Sequence, residues 1–332
     1  MARTLKILFL RQKGLGYVGA PGKYHAFEQA VGKIADCRWA GRGWPLYQPN
    51  ENMNNTVGRI YDKTPPDWVL DEDDGFRVPR ERNYKVGYFA SDLHGKNSFN
   101  VTSPRGFVRL INNSHYDAVF LKYKYIYGTS STPDIFLRSL NTKPFFLPWS
   151  IDTKRYYPRE KDFDVVFLGA ASRRRYPIRN SLWKNLPSFC EEHNLRLLMK
   201  GAPPGGTFQR DIQRLMREGL IVGERYCEVL GETKILIFGC SRHRYPLQKF
   251  FEGMSSGCLV MSNEPGGAKE LNFRDGYNFV SIDTRNWKEK LQYYSENESE
   301  AKRIAEQGRE TILKYHTHDI RVRQFIQMLT EV

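Results

Sequence analysis

The sequence predicts an α/β protein built on doubly wound parallel sheets, and three observations carry that prediction. First, short apolar runs recur along the whole chain: LKILFL (5–10), DWVL (67–70), YKVGYFA (84–90), DAVFLKY (117–123), DVVFLGA (164–170), LRLLMKG (195–201), KILIFG (234–239) and CLVMS (258–262). Runs of this kind, bounded by breakers, fit strands buried on both faces of a parallel sheet. Second, helical or turn sequence separates the runs, which is the alternation of doubly wound folds. Third, 332 residues with 40% hydrophobic and 27% charged side chains make an ordinary globular chain, long enough for two such domains or one large one.

Taken in order, LKILFL is the first strand. The loop GLGYVG (14–19) after it matches G-x-G-x-x-G, the spacing of a dinucleotide fold, with Gly16 at its centre. Asp36 lies before the second strand rather than at its end, where a ribose acid belongs, which disfavours a dinucleotide site. Phe27, Ala30, Val31 and Ile34 place one apolar face on a helix over His25–Ile34. Residues 41–66 are polar and rich in Asn and Pro, and read as a long loop. The acidic run Asp71–Asp74 follows DWVL as either a metal-binding carboxylate cluster or, preferred here, a solvated turn. SDLHG (91–95) follows YKVGYFA, so Asp92 and His94 sit where open α/β sheets bind ligands. Asp92 suits a general base on an acceptor hydroxyl and His94 an orienting group; an N-cap Asp and a surface His are the alternative.

The second half carries the densest signal. Arg173, Arg174 and Arg175 follow DVVFLGA, and Lys200 ends the next strand. Guanidinium forks match diphosphate geometry. Leu247, Phe250, Phe251 and Met254 form one helical stripe, with Pro246 suited to the first helical position and Gly257 to the residue past the end. Glu252, about 200° round from Phe250, is expected to point away from the core. After CLVMS comes a loop in which Gly266 and Gly267 allow close backbone approach to a ligand. If AKEL (268–271) opens a helix, its N–H groups favour a phosphate. Asp275-Gly276 turns the chain into a further strand. His316 and His318 read as caps or surface residues rather than a metal site.

The stretch FFEGMSSGCLVMSNEPGGAKEL, with FFLPWSIDTKRYYP (145–158), DVVFLGAASRRR (164–175) and the closing HTHDIRVRQFIQML, resembles the group-1 glycosyltransferases of GT-B fold, in particular their spore-maturation-like branch. The resemblance runs from about Pro144 to the end. It implies two Rossmann-like domains facing a central cleft: an acceptor domain over 1–147, a nucleotide-sugar domain over 148–315, and a closing helix over 316–332 that can pack back on the first. It implies donor contacts at Glu252, which holds the ribose in the family, at Gly266, Gly267 and Glu270, at basic residues here represented by Arg173, Arg174 and Lys200, and at Gly16, whose loop lines the cleft in GT-B enzymes and there makes a phosphate or acceptor contact. The family pattern has a second glutamate eight positions before Glu252; Arg244 stands there instead. An Arg can bind a phosphate or a sugar carboxylate but does not replace that Glu. The donor expected is a nucleotide-diphosphate sugar, with UDP preferred, and no metal or other cofactor is required.

Charge narrows the acceptor. The net charge is +14, with clusters at KYKY (122–125), RRR (173–175) and SRHR (241–244). Such an excess favours polyanionic partners, against the alternative of a solvated surface that also serves nucleotide phosphates. The preferred acceptor is a hydroxylated base in duplex DNA, as for virus-encoded DNA glycosyltransferases. The alternatives are a cell-envelope or spore-surface glycan, and a non-catalytic nucleic-acid-binding protein on the same scaffold. The five cysteines are scattered without a CxxC pair, so neither zinc nor a disulfide framework is expected. No apolar stretch reaches transmembrane length, and the start reads as a strand rather than a secretory signal. A cytoplasmic protein, in the host cytoplasm if viral, is the expectation.

Overall fold

A computed structural model describes residues 3–11, 25–62, 64–71, 77–90, 104–124, 139–201 and 216–332. Two all-parallel sheets organise them. The first contains β1 (Lys6–Leu10), β2 (Asp36–Ala40), β3 (Trp68–Asp71), β4 (Lys85–Ala90), β5 (Ala118–Leu121) and β6 (Lys143–Phe146), in the order β2-β1-β3-β4-β5-β6. The second contains β7 (Phe163–Leu168), β8 (Leu197–Lys200), β9 (Thr233–Ile237), β10 (Leu259–Ser262) and β11 (Val280–Ser281), in the order β11-β10-β9-β7-β8. Strands β3, β5 and β10 are buried at every residue, the two-face burial that their uninterrupted apolar runs require. Edge strand β6 carries Pro144, which removes a donor from the open edge.

The helices cover both faces. Helices α1 (His25–Val31), α2 (Met53–Tyr61) and α3 (Pro104–Asn112) belong to the first sheet, and α4 (Pro177–Glu192), α5 (Gly223–Gly231), α6 (Gln248–Ser255), α7 (Trp287–Glu296) and α8 (Glu298–Tyr315) to the second. The last helix, α9 (His318–Thr330), returns to the first sheet. Its Val322, Phe325 and Leu329 share a core with Ile7, Phe9, Phe89 and Phe120. Phe325 meets the rings of Phe27, Phe89 and Phe120 at centroid distances of 5.6, 5.6 and 5.2 Å. The chain thus crosses between the sheets twice, and the crossings pair with each other. Ile151 N donates to His316 O at 2.9 Å, and His318 N donates to Ile151 O at 3.1 Å.

Three local expectations are corrected. Residues 41–66 are not all loop: α2 is capped by Asn52, whose side chain accepts from Asn55 N, and it buries Met53, Thr56, Val57 and Tyr61. Helix α1 ends at Val31, so Ile34 falls in the following turn and is 54% exposed. Helix α6 begins at Gln248, with Leu247 as N-cap, so Pro246 lies outside it. Gly257 does follow the helix end, at φ +70°.

Candidate active site

In the second sheet the chain leaves β7 for β8 on one side and returns to β9 on the other. Ligands of open α/β sheets bind at such a reversal, outside the carboxyl ends of the strands. Here those ends are Leu168-Gly169 and Ile237-Phe238-Gly239. Two cations converge on them. Lys249, in the first turn of α6, donates its ammonium to Leu168 O. Arg179, buried in the first turns of α4, donates Nε to Gly239 O at 2.5 Å and Nη1 to Ala170 O at 3.4 Å, and lies 4.1 Å over the Tyr176 ring. Burial, then the nearby Arg179 charge, lowers the Lys249 pKa to about 7, with Glu252 opposing the shift. Gly169 is at φ +138°, and a Cβ there would stand 3.0 Å from the Lys249 ammonium. Only glycine lets the chain turn this closely over the cation.

Glu252 corrects the helical-wheel expectation. Residues Phe250 to Ser255 are all buried, because α6 is enclosed by β10, α5 and α8, and Glu252 is 2% exposed. Tyr226 from α5 donates to Glu252 Oε2 at 2.7 Å, while Tyr156 makes a long contact with Oε1 at 3.5 Å. Burial and the Glu252 charge raise both phenols well above their ordinary pKa, so both remain donors.

The loops after β9 and β10 are joined through their backbones. Arg244, at φ +52°, accepts at its carbonyl a 2.6 Å bond from Gly266 N. Gly266 and Gly267 are buried, Gly267 at φ +79°. The segment expected to open a helix is a single 3₁₀ turn, Lys269–Leu271, too short to act as a helix N-terminus. Glu270 accepts from Lys124 Nζ of the first domain at 3.3 Å. Arg173, Arg174 and Lys200 are exposed at the ends of β7 and β8, on the rim of this reversal.

Gly16, Asp92 and His94 lie outside the described residues. Asp71 is not in a solvated turn: it is fully buried and accepts from Tyr116 at 2.6 Å. Lys122, after β5, is buried with the rings of Trp149, Phe27 and Phe89 at 5.0, 5.6 and 5.6 Å. Of the two histidines, His316 does cap α8 at its C-terminus but is buried rather than at the surface, and His318 is half-buried at the start of α9. His316 is 2% exposed; Arg321 can only donate, so its 2.8 Å bond makes His316 Nδ1 the acceptor and leaves Nε2 to donate to Leu271 O at 2.8 Å. Burial, then Arg321, lowers the His316 pKa to about 3. Among the described residues, no cluster of three or more His, Cys, Asp or Glu could hold a metal, and no helix is long and apolar enough to cross a membrane. All five cysteines are free thiols.

Sequence reading missed Arg179, Lys249, Tyr156 and Tyr226. The signal available for Lys249 was its i, i+3 spacing to Glu252, and for Arg179 its place just inside a Pro-led helix after the arginine cluster. Nothing local marked the tyrosines.

Residues 172–327 match a family described as glycosyl transferase-like. No curated protein matches the sequence. The structure is similar to sucrose-phosphate synthase from Thermosynechococcus elongatus, at 15% identity, 99% coverage of each chain and a TM-score of 0.66. It is also similar to Alr3699/HepE of Anabaena in complex with UDP and glucose, at 14% identity, 99% coverage of this chain, 100% of that one and a TM-score of 0.64. A glycosyltransferase from Rickettsia africae ESF-5 aligns at 13% identity, 99% and 98% coverage and a TM-score of 0.61. At such identities the likeness is one of fold. Residues 172–327 thus resemble that family, and the chain as a whole has the fold of these structures, the two-sheet GT-B architecture.

Proposed function

We propose that this protein moves a sugar from a nucleotide-diphosphate sugar to an acceptor hydroxyl, and that the donor lies over the β7–β9 reversal. The observation that carries the reading is the pair of cations, Arg179 and Lys249, held by backbone carbonyls beneath the Gly169 turn. A departing nucleotide diphosphate needs charge compensation, and preorganised cations in a water-poor site provide it best. Arg173, Arg174 and Lys200 add charge at the rim. The loop from Gly266 to Glu270 frames the nucleotide. Glu252 contacts the ribose, as its counterpart does in the resembling family. Arg244 takes the place of the family's other glutamate and faces the sugar or its phosphate. UDP is the preferred nucleotide, supported by the bound UDP and UDP-glucose of Alr3699/HepE. Asp92 removes the acceptor proton, with His94 orienting it.

The acceptor we favour is a hydroxylated base in duplex DNA, on the strength of the +14 charge and the exposed Arg173, Arg174, Arg175 and Arg242 beside the site. Such an enzyme has to extrude the base and grip the phosphates. A thermal-shift screen of nucleotide sugars, with and without duplex DNA, tests both parts. A donor at about 100 times its Kd stabilises the fold by roughly 2.7 kcal/mol. Stabilisation by a UDP-sugar that is lost in Arg179→Met supports the donor site. DNA binding that weakens steeply with salt supports the acceptor. Stabilisation by DNA with none by any donor would sink the enzyme reading.

A further inference from the structure

We infer that the Tyr123-Lys124 dipeptide of the first domain is a positioning element for the donor loops of the second. The inference rests on the donor reading above. It starts from a closed ring of contacts. Tyr123, just past β5, stacks on Tyr245 in the loop after β9, with centroids 4.5 Å apart and planes at 26°. Arg244, next to Tyr245, holds Gly266 of the loop after β10 through its carbonyl, at 2.6 Å. Four residues on, Glu270 returns to the first domain at Lys124, at 3.3 Å. Adjacent residues of one segment therefore grip two loops that also grip each other.

Further ties reinforce the grip. Trp149 Nε1, in the crossing segment, donates to Pro246 O at 3.0 Å. His316, in the second crossing, donates to Leu271 O at 2.8 Å. Tyr245 packs against the core of the first sheet rather than that of its own domain. Both loops leave strand ends of the second sheet, yet most of their side-chain anchors named here are in the first domain or the crossings. Backbone conformation argues the same way: Arg244 at φ +52° is a left-handed non-glycine residue, which persists only when its surroundings enforce it. Glu270 is accordingly a positioning residue, its carboxylate turned to Lys124. Substitutions in the acceptor domain should then change donor affinity.

Two readouts test this: UDP affinity by calorimetry, and hydrogen exchange of residues 240–247 and 263–271 in the ligand-free protein. Lys124→Glu puts like charges together and is expected to weaken UDP binding about three- to tenfold and to speed exchange in both loops. Lys124→Glu combined with Glu270→Lys restores the pair and brings both readouts back to within about twofold of the parent. Tyr245→Ala gives the same losses, while Tyr245→Phe, which keeps the stack, does not. Exchange unchanged in both Lys124→Glu and Tyr245→Ala overturns the inference. So does a loss that persists in the charge swap, which would make Glu270 a direct donor contact. If the parent protein fails to bind UDP while loop exchange still rises in the variants, the donor reading falls and the positioning role stands.

Discussion

Lys249 gives the sharpest prediction, because its protonation should report donor binding directly. In the empty protein, burial and Arg179 hold it at a pKa of about 7. At pH 8 such a group carries roughly 0.1 proton, and at pH 7 about 0.5. A diphosphate placed over the Gly169 turn brings opposite charge within reach and favours the ammonium. If the pKa returns to above about 9, binding takes up roughly 0.8 proton at pH 8, about 0.5 at pH 7 and near 0.1 at pH 6. Calorimetry of a UDP-sugar in buffers of different ionisation enthalpy counts that proton, and the sugar-linked diphosphate has no titrating proton of its own near neutrality. Lys249→Met should abolish the uptake and weaken binding together. Uptake below about 0.2 proton at pH 8 in the parent would refute the placement of the diphosphate over Lys249. The same shift sets a stability trend in the empty protein. The unfolded chain keeps this proton up to about 10.5 while the folded chain releases it near 7, so the unfolded state binds more protons across that window. Stability therefore rises with pH from about 7 to 10.5, and Lys249→Met stabilises the empty protein at pH 7 by on the order of a few kcal/mol.

Three further outcomes follow from the same geometry. Tyr226→Phe removes the 2.7 Å donor to a buried carboxylate and should cost about 2 kcal/mol in urea unfolding; a cost below about 0.5 kcal/mol would mean that Glu252 finds another partner. Gly169→Ala forces a side chain into a φ of +138° with its Cβ 3.0 Å from the Lys249 ammonium, so it should lose about 1–3 kcal/mol and at least tenfold in UDP affinity; retention of both would show that the turn relaxes freely. His318 is held neutral by burial, its pKa lowered to about 4, while the unfolded chain protonates it near 6.5. The unfolded state thus binds the extra proton between those values, and stability falls as pH drops from about 6.5 toward 4. His318→Asn, which can still face Ser150, should make the fall of the urea midpoint between pH 6.5 and 4 shallower, leaving the share that buried His316 contributes; an unchanged slope would assign the acid sensitivity to other groups.

Much of the sheet architecture could be read from the sequence, because a strand buried on both faces must be continuously apolar and its ends must carry breakers. Val165–Leu168, Ile235–Ile237 and Leu259–Met261 met that requirement locally. Helix α2 was not legible: its buried positions include Thr56, and MNNTVGRIY has the polarity of a loop. Its stability comes from Asn52 capping and from packing on the first sheet, and tertiary burial overrides propensity.

For the site, residue order alone shows which chemistry was available: an arginine run after one strand end, a glycine pair after another, a carboxylate on the helix between. Position along the chain fixes those because each sits within a few residues of a strand end. Where the charges went depends on packing between distant segments. Glu252 turned inward because its helix is enclosed by neighbours that the wheel of one helix does not contain. Arg179 and Lys249 came together from helices 70 residues apart, and their shared burial, not their identity, moves the lysine toward neutrality. His316 became a buried strut only because the chain crosses twice at one place. Desolvation and Coulomb interaction act on distances in space, which sequence separation does not encode.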